Sequence, residues 1–218
     1  MTQRFFTSDL HIRHDLVVRE RGFWRARNAD ESPFLRSMVA DHEAYEMFLA
    51  ANWDSRVGKD DIVYILGDLA MNPNKGAFEW LRARPGRKIL ISGNHDATAG
   101  FHSSASKAQR DWLALGIFES IHDFLQVKFG DRRVLLSHYP YTGEGDRGME
   151  DRHTQFRLRD EGQPLLHGHE HKKNALEVDL PHQLHVGLDS WDLHLVHEST
   201  VQDWLDGVNA LSAFATDA

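Results

Sequence analysis

Apolar residues fall into short runs between polar clusters. Five of these runs read as buried strands: Arg4–Ser8, Asp61–Leu66, Lys88–Ser92, Val134–Ser137 and Pro164–Leu166. Runs so short, and so rich in Ile, Val, Leu and Phe, suit strands covered on both faces. Between them the spacing turns helical. Ser32-Pro33 offers an N-cap with proline at the first helical position, and Phe34, Met38, Tyr45, Phe48 and Leu49 then recur on one face as far as about Trp53. Asn72-Pro73 repeats the start signal ahead of Phe78, Trp80 and Leu81, and Ser104 to Leu115 has the spacing of a third helix. Ile117–Phe129 and Arg132–Ser137 flank a hairpin-like turn at Gly130-Asp131, while Leu176–Val178 and Gln183–Leu188 read as further strands. Ser199-Thr200-Val201-Gln202 resembles a capping box opening a last helix to about Leu211, which leaves 212–218 as a frayed tail.

Strands thus alternate with helices early and cluster late. That order predicts an α/β fold of two packed sheets with helices outside, built as one domain over residues 1–211. No internal repeat or low-complexity linker interrupts it.

Polar motifs follow the strands. They are Asp9-Leu10-His11, Gly67-Asp68, Gly93-Asn94-His95-Asp96, His138 and Gly168-His169-Glu170-His171. Ligand sites in layered α/β proteins gather beyond the carboxyl ends of strands. In extended backbone Asp9 and His11 would share a side, and so would His169 and His171, with Glu170 facing away. Asp68 offers two oxygens, Asn94 a neutral carbonyl, His95 a transferable proton, and Asp96 a group to orient or charge His95. Singly, each motif has a bland counterpart: a turn aspartate, a polar turn, a satisfied histidine, a solvated loop. Their recurrence at five strand ends supplies the donors for two metal ions side by side, an arrangement used to hydrolyse phosphate esters.

Composition narrows the chemistry. The 218 residues contain no Cys, so any metal must be held by His, Asp, Glu or Asn, and a reducing compartment is suited. The net charge of −8 gives no basic footprint for long nucleic acid. No run is long enough to span a bilayer, and the first residues (MTQRFF) lack a signal-like apolar region, so a soluble cytoplasmic protein is expected.

The ordered motifs resemble the calcineurin-like metallophosphoesterase superfamily, whose pattern is Asp-x-His, Gly-Asp, Gly-Asn-His-Asp/Glu, His and Gly-His-x-His. Phe5–His14 (FFTSDLHIRH), Asn52-Trp53 and Leu66-Gly67-Asp68 bring the chain closer to small prokaryotic and phage-type members. The resemblance runs from about Phe5 to Leu205 and implies a four-layer α/β/β/α sandwich. It also implies one metal site of Asp9, His11, Asp68 and His171, a second of Asp68, Asn94, His138 and His169, and Asp68 as the bridge. By the same carry-over His95 protonates the leaving oxygen while a metal-bridging hydroxide attacks. The mixed donors suit Mn, Fe, Zn, Co or Ni, and the family points to Mn.

Departures from the pattern bear on substrate. Protein phosphatases of the superfamily continue the second motif to an arginine, whereas this chain reads Leu69-Ala70-Met71-Asn72-Pro73, and Asp96 stands where they carry Glu. The 218 residues hold no stretch for the capping domain of the large nucleases. A phosphodiesterase acting on small phosphodiesters or nucleotides is therefore expected. The alternatives are a nuclease, a nucleotide or lipid pyrophosphohydrolase, and a non-catalytic metal-binding scaffold. Arg13, His14, Tyr139 and Tyr141 are candidate substrate contacts, the tyrosines by stacking on a base. Arg147, Arg152, Arg157 and Arg159 lie in a mixed-charge segment that reads as a solvated loop. His42, His102, His122, His153, His182, His194 and His197 read as structural or surface groups.

Overall fold

The computed structural model describes residues 2–26, 38–71, 75–143, 151–177 and 179–216. Its first sheet takes β1 (Arg4–Thr7), β4 (Ile62–Ile65), β5 (Arg87–Ile91) and β6 (Phe118–His122) as parallel neighbours, with β11 (Val196–His197) antiparallel at the edge beside β1. A second sheet runs β10 (Gln183–His185), β9 (Leu165–His167), β8 (Arg132–Ser137) and β7 (Phe124–Phe129), parallel except for the β7–β8 hairpin. β2 (Trp24–Ala26) and β3 (Met38–Ala40) form a separate two-stranded ribbon.

The alternation of side chains along a strand builds two cores. Phe5, Val63, Ile65 and Leu90 face one way and pack with Val18 of α1 (Asp15–Glu20), Tyr45, Leu49 and Trp53 of α2 (His42–Asp54), Leu81 of α3 (Lys75–Arg82) and Trp112 of α4 (Ala105–Ala114). Their neighbours Phe6, Tyr64, Leu66 and Ile91 face the other way. They meet Val127, Val134, Leu136, Leu166 and Leu184 of the second sheet and Val201, Trp204 and Leu205 of α5 (Glu198–Thr216). The fold is the expected mixed α/β sandwich of packed sheets flanked by helices.

Several boundaries differ from the sequence pattern. The Ser32-Pro33 signal and Phe34 lie outside the described residues. α2 begins only at His42, because Met38–Ala40 pairs in the ribbon and the Asp41 carboxylate caps the helix by accepting the Ala44 amide at 3.0 Å. Asn72-Pro73 also lies outside the described residues, although α3 follows where expected. Ile117–Phe129 is two strands in different sheets. The break falls at Asp123, whose carboxylate accepts the Gly100 amide at 2.8 Å. Ser199 opens no capping box. The His197 ring accepts its amide at 3.2 Å, the helix starts one residue earlier at Glu198, and it continues past Leu211 to Thr216. Leu176 and Glu177 are not strand: Lys172 reaches over to pair with Glu177, and Leu176 is exposed. Val178 lies outside the described residues.

Candidate metal centre

Backbone amides lock the loops beyond the strands together. The loop after β1 lies on the loop after β4, with Asp9 N–H donating to Gly67 O at 3.0 Å, His11 N–H to Asp68 O at 3.0 Å and Ile12 N–H to Leu69 O at 2.9 Å. The Asp96 carboxylate accepts the amides of Asp68 (2.9 Å), Leu69 (3.1 Å) and Gly93 (2.8 Å), tying the loop after β5 to the loop after β4. Within the second sheet His138 O accepts from Gly168 N–H at 3.0 Å, and across the seam between sheets Asp9 Oδ2 accepts from His169 N–H at 3.0 Å. The approach is close enough to need glycine. A Cβ on Gly67, whose φ is +90°, would lie 2.6 Å from Gly93 Cα, and one on Gly168 would lie 2.6 Å from Asp9 Oδ2 and collide with the Ser8 hydroxyl.

This framework gathers all seven of the residues expected as metal ligands. His11 Nε2 lies 3.0 Å from His171 Nε2, and Asp9 Oδ1 lies 3.9 and 3.6 Å from those two nitrogens. Beside them His138 Nε2 lies 3.1 Å from Asn94 Oδ1 and 3.2 Å from His169 Nδ1. Asp68 Oδ2 stands between the two groups, 3.7 Å from His11 Nε2 and 3.6 Å from His138 Nε2. His95 Nε2 comes within 3.8 Å of the same oxygen from the more exposed side, and Asp68 Oδ1 accepts the His95 amide at 2.9 Å. The two histidines of Gly168-His169-Glu170-His171 thus serve different halves, while Glu170 turns away to Lys172 at 2.8 Å.

The backbone departs from the extended conformation assumed in the sequence. Asp9, His11, Asp68, His169 and His171 have φ of 58°, 45°, 54°, 76° and 54°. Left-handed backbone is disfavoured for residues with a Cβ, and its concentration here marks a functional site.

The charges and the donor set fit a cation. Burial alone would raise the Asp9 carboxyl, yet the rings of His171, His138 and His11 outweigh it and hold the group below the usual carboxylate range. Burial raises the Asp68 carboxyl in spite of His138. Burial drives His11 well below its ordinary value and lowers His95 too, with His138 adding to the effect on His95. Asp9 Oδ1 is buried without a hydrogen-bond partner. An orphaned carboxylate oxygen facing two imidazoles fits a divalent ion, since each donor can turn a lone pair to it. The imidazole, carboxylate and amide donors suit a transition metal.

Beyond the motifs, an outer layer holds the candidate ligands. His138 Nδ1–H donates to Leu66 O at 2.7 Å, which leaves Nε2 to face the centre. His171 Nδ1 is 2.9 Å from Asp189, and against burial, which lowers the ring, Asp189 and Asp9 together raise it. Asp189 is gripped by the buried Arg21, which also donates to Asp9 O at 2.9 Å and contacts the Tyr45 hydroxyl. No local pattern marks Arg21 or Asp189 in the sequence. His167 and His185 also lie buried behind the last motif, with rings 5.3 Å apart.

The remaining candidates fall elsewhere. Both Asp96 oxygens are engaged by amides, so its hydrogen bonds hold loops and its influence on His95 is a charge effect. Arg13 turns to Glu46 at 2.9 Å. His14 packs 5.1 Å from the His11 ring. Tyr139 and Tyr141 are buried and do not form a rim, although Tyr139 touches the His169 ring at 5.1 Å. Arg157 is tied to Gly143, Asp151 and Arg152, and Arg159 lies at the surface near Glu161. Arg147 lies outside the described residues. His153, read as peripheral, sits 5.8 Å from the His169 ring.

Residues 5–173 match the family described as calcineurin-like phosphoesterase. The chain belongs to that family. The match makes it a metal-dependent phosphoric ester hydrolase, and the gathered donors are its candidate metal ligands. The chain is 38% identical to the Gene 66 protein of Mycobacterium phage L5, over 96% of this chain and 97% of that protein. It is 40% identical to the Gene 66 protein of Mycobacterium phage D29, over 88% and 90%. A crystal structure of AQ665, a protein of unknown function from Aquifex aeolicus, shares the fold with a TM-score of 0.64 at 21% identity, covering 93% of this chain and 99% of that one. Among the described residues no helix is long and apolar enough to cross a membrane.

Proposed function

We propose that this phosphoesterase is a cytoplasmic, single-domain phosphodiesterase for small phosphodiesters or nucleotides, working with two divalent transition metals, Mn by preference. The observation that carries the dinuclear reading is the position of Asp68 Oδ2, shared between the His11 side and the His138 side at 3.7 and 3.6 Å. Asp9, His11, Asp68 and His171 would hold one ion, and Asp68, Asn94, His138 and His169 the other. Bound there, the ions would supply Lewis acidity to the phosphate oxygens and an activated water.

The chain's own groups do the rest. His95 is the general acid: its ring reaches the centre from the half-exposed side and would give its Nε2 proton to the departing alkoxide. Asp96 positions His95 by holding the turn that bears it. Diesters are favoured because the segment after Asp68 brings no guanidinium to a dianionic phosphate. Leu69 and Ala70 are buried in the core instead, and Arg13 and Arg157 are committed to Glu46 and Asp151.

The deciding experiment compares kcat/KM for matched aryl diester and monoester substrates with saturating Mn near neutral pH, alongside pyrophosphates and single-stranded oligonucleotides. Diester preference supports the reading. A preference for monoesters, pyrophosphates or polynucleotides overturns it, and inactivity with every metal tried would leave a metal-binding scaffold.

A further inference from the structure

An aromatic wall climbs from one half of the metal centre to solvent. The His153 ring lies 5.8 Å from His169 and 5.4 Å from Tyr139. Phe101 stacks over His153 at 6.3 Å with 26° between planes, and Phe156 stacks on Phe101 at 4.6 Å and 23°. Phe156 ends the series 42% exposed. Nothing in the phosphate chemistry accounts for these rings.

Three observations mark the wall as a binding surface. His153 has φ of 57°, the same disfavoured backbone as the ligands, although it belongs to none of the metal motifs. The segment carrying His153 and Phe156 is braced by its own contacts. The Arg157 side chain donates to Gly143 O at 3.1 Å and to Arg152 O at 2.9 Å, and pairs with Asp151 at 3.3 Å. At the foot of the wall the Tyr139 hydroxyl is buried without a hydrogen-bond partner.

We infer that this wall is a stacking subsite for a nucleobase, so that the substrate is a nucleotide phosphodiester. The inference rests on the phosphodiesterase reading. A phosphate held beside His169 tethers its base through a sugar, a span that reaches the His153 ring 5.8 Å away, with Phe101 and Phe156 stacked behind it as backing. Flat rings favour a base over an alkyl arm because stacking needs a π-face on both partners. Among the described residues the ring series is short and Arg157 beside it is paired with Asp151, which suits one nucleotide better than a long strand.

The test measures binding, so it does not depend on turnover. Calorimetric titration of AMP and of inorganic phosphate into the Mn-loaded protein gives an affinity ratio for wild type, Phe156→Ala, Phe156→Leu and His153→Ala. Phe124→Ala, an exposed ring on β7, serves as the control. AMP should bind wild type more tightly than phosphate. The ratio should fall about 5- to 150-fold in His153→Ala, the range that loss of one base-on-ring contact gives, should fall less in Phe156→Ala, and should hold in Phe124→Ala. Phe156→Leu keeps apolar bulk and should behave like Ala if stacking is the cause. Equal affinities in wild type, or an unchanged ratio in both Phe156 and His153 variants, overturns the subsite. Absence of turnover with intact, ring-dependent AMP binding would instead count against the phosphodiesterase reading alone.

Discussion

Arg21 and Asp189 meet across 168 residues of chain through two parallel hydrogen bonds, Nε to Oδ1 at 2.9 Å and Nη2 to Oδ2 at 2.7 Å. The second of those oxygens also lies 2.9 Å from His171 Nδ1. The pair therefore sets the direction of a metal-facing ring without reaching the centre itself. Outer partners of this kind are worth roughly 10- to 100-fold in metal affinity. Asp189→Asn should weaken Mn binding by about that factor in a direct titration of the metal-free protein, and activity should return at high Mn. Unchanged affinity would make the pair purely structural.

Arg21 itself is nearly inaccessible, and removing one partner of a buried ion pair strands the other. Arg21→Met should lower stability in urea unfolding by about 3 kcal/mol. A change below about 1 kcal/mol would show that water replaces the guanidinium.

Asp68→Asn removes the charge from the oxygen placed between the two halves. Metal content after reconstitution should drop from about two equivalents toward one or none, with activity falling in parallel. Retention of two tightly held ions and full activity would end the bridging assignment.

His95→Ala should retain its metal while losing on the order of 10²–10⁴ in rate, and the loss should shrink for substrates with good leaving groups. An equal loss for good and poor leaving groups would remove His95 from proton transfer.

Lys88 offers a measurement independent of the centre. Burial, with Arg84 adding to it, lowers this ammonium to about 8, while it donates to the carbonyls of Arg84 and Gly86 at 2.6 and 2.8 Å. The folded value lies below the unfolded one, so between pH 8 and 10.5 the unfolded chain holds a proton that the folded chain has released. Stability should therefore rise with pH across that window, by at most about 1.4 kcal/mol for each pH unit of displacement. Urea midpoints for wild type and Lys88→Met, followed from pH 7.5 to 10, should differ in slope. Parallel curves would refute the assignment.

Much of this architecture is legible in the chain because apolar runs and turn chemistry are local signals. Arg4–Ser8, Asp61–Leu66 and Lys88–Ser92 announce strands whose alternate residues then fill two cores, as Phe5 and Phe6 do. The donors are legible because each sits at a strand end in a recognisable order. Asp41 and Asp123 mislead because their effect depends on which amide each carboxylate finds. Ser199 misleads because the capping acceptor comes from a histidine ring. Arg21, Asp189 and His153 are invisible for the same reason: their roles are defined by partners far away in sequence.

The donor set is divided between the sheets. Asp9, His11, Asp68 and Asn94 follow strands of the first, whereas His138, His169 and His171 follow strands of the second. An ion shared by the two groups would be a rivet through the sandwich, fastening two layers that meet through an apolar core and a few polar contacts such as Asp9 with His169. Binding energy at such a place adds directly to cohesion between the layers, by RT ln(1 + [M]/Kd) when the unfolded chain does not compete. The catalytic metal would then also be a structural one, and scarcity of metal would loosen the protein along this seam before it unfolds anywhere else.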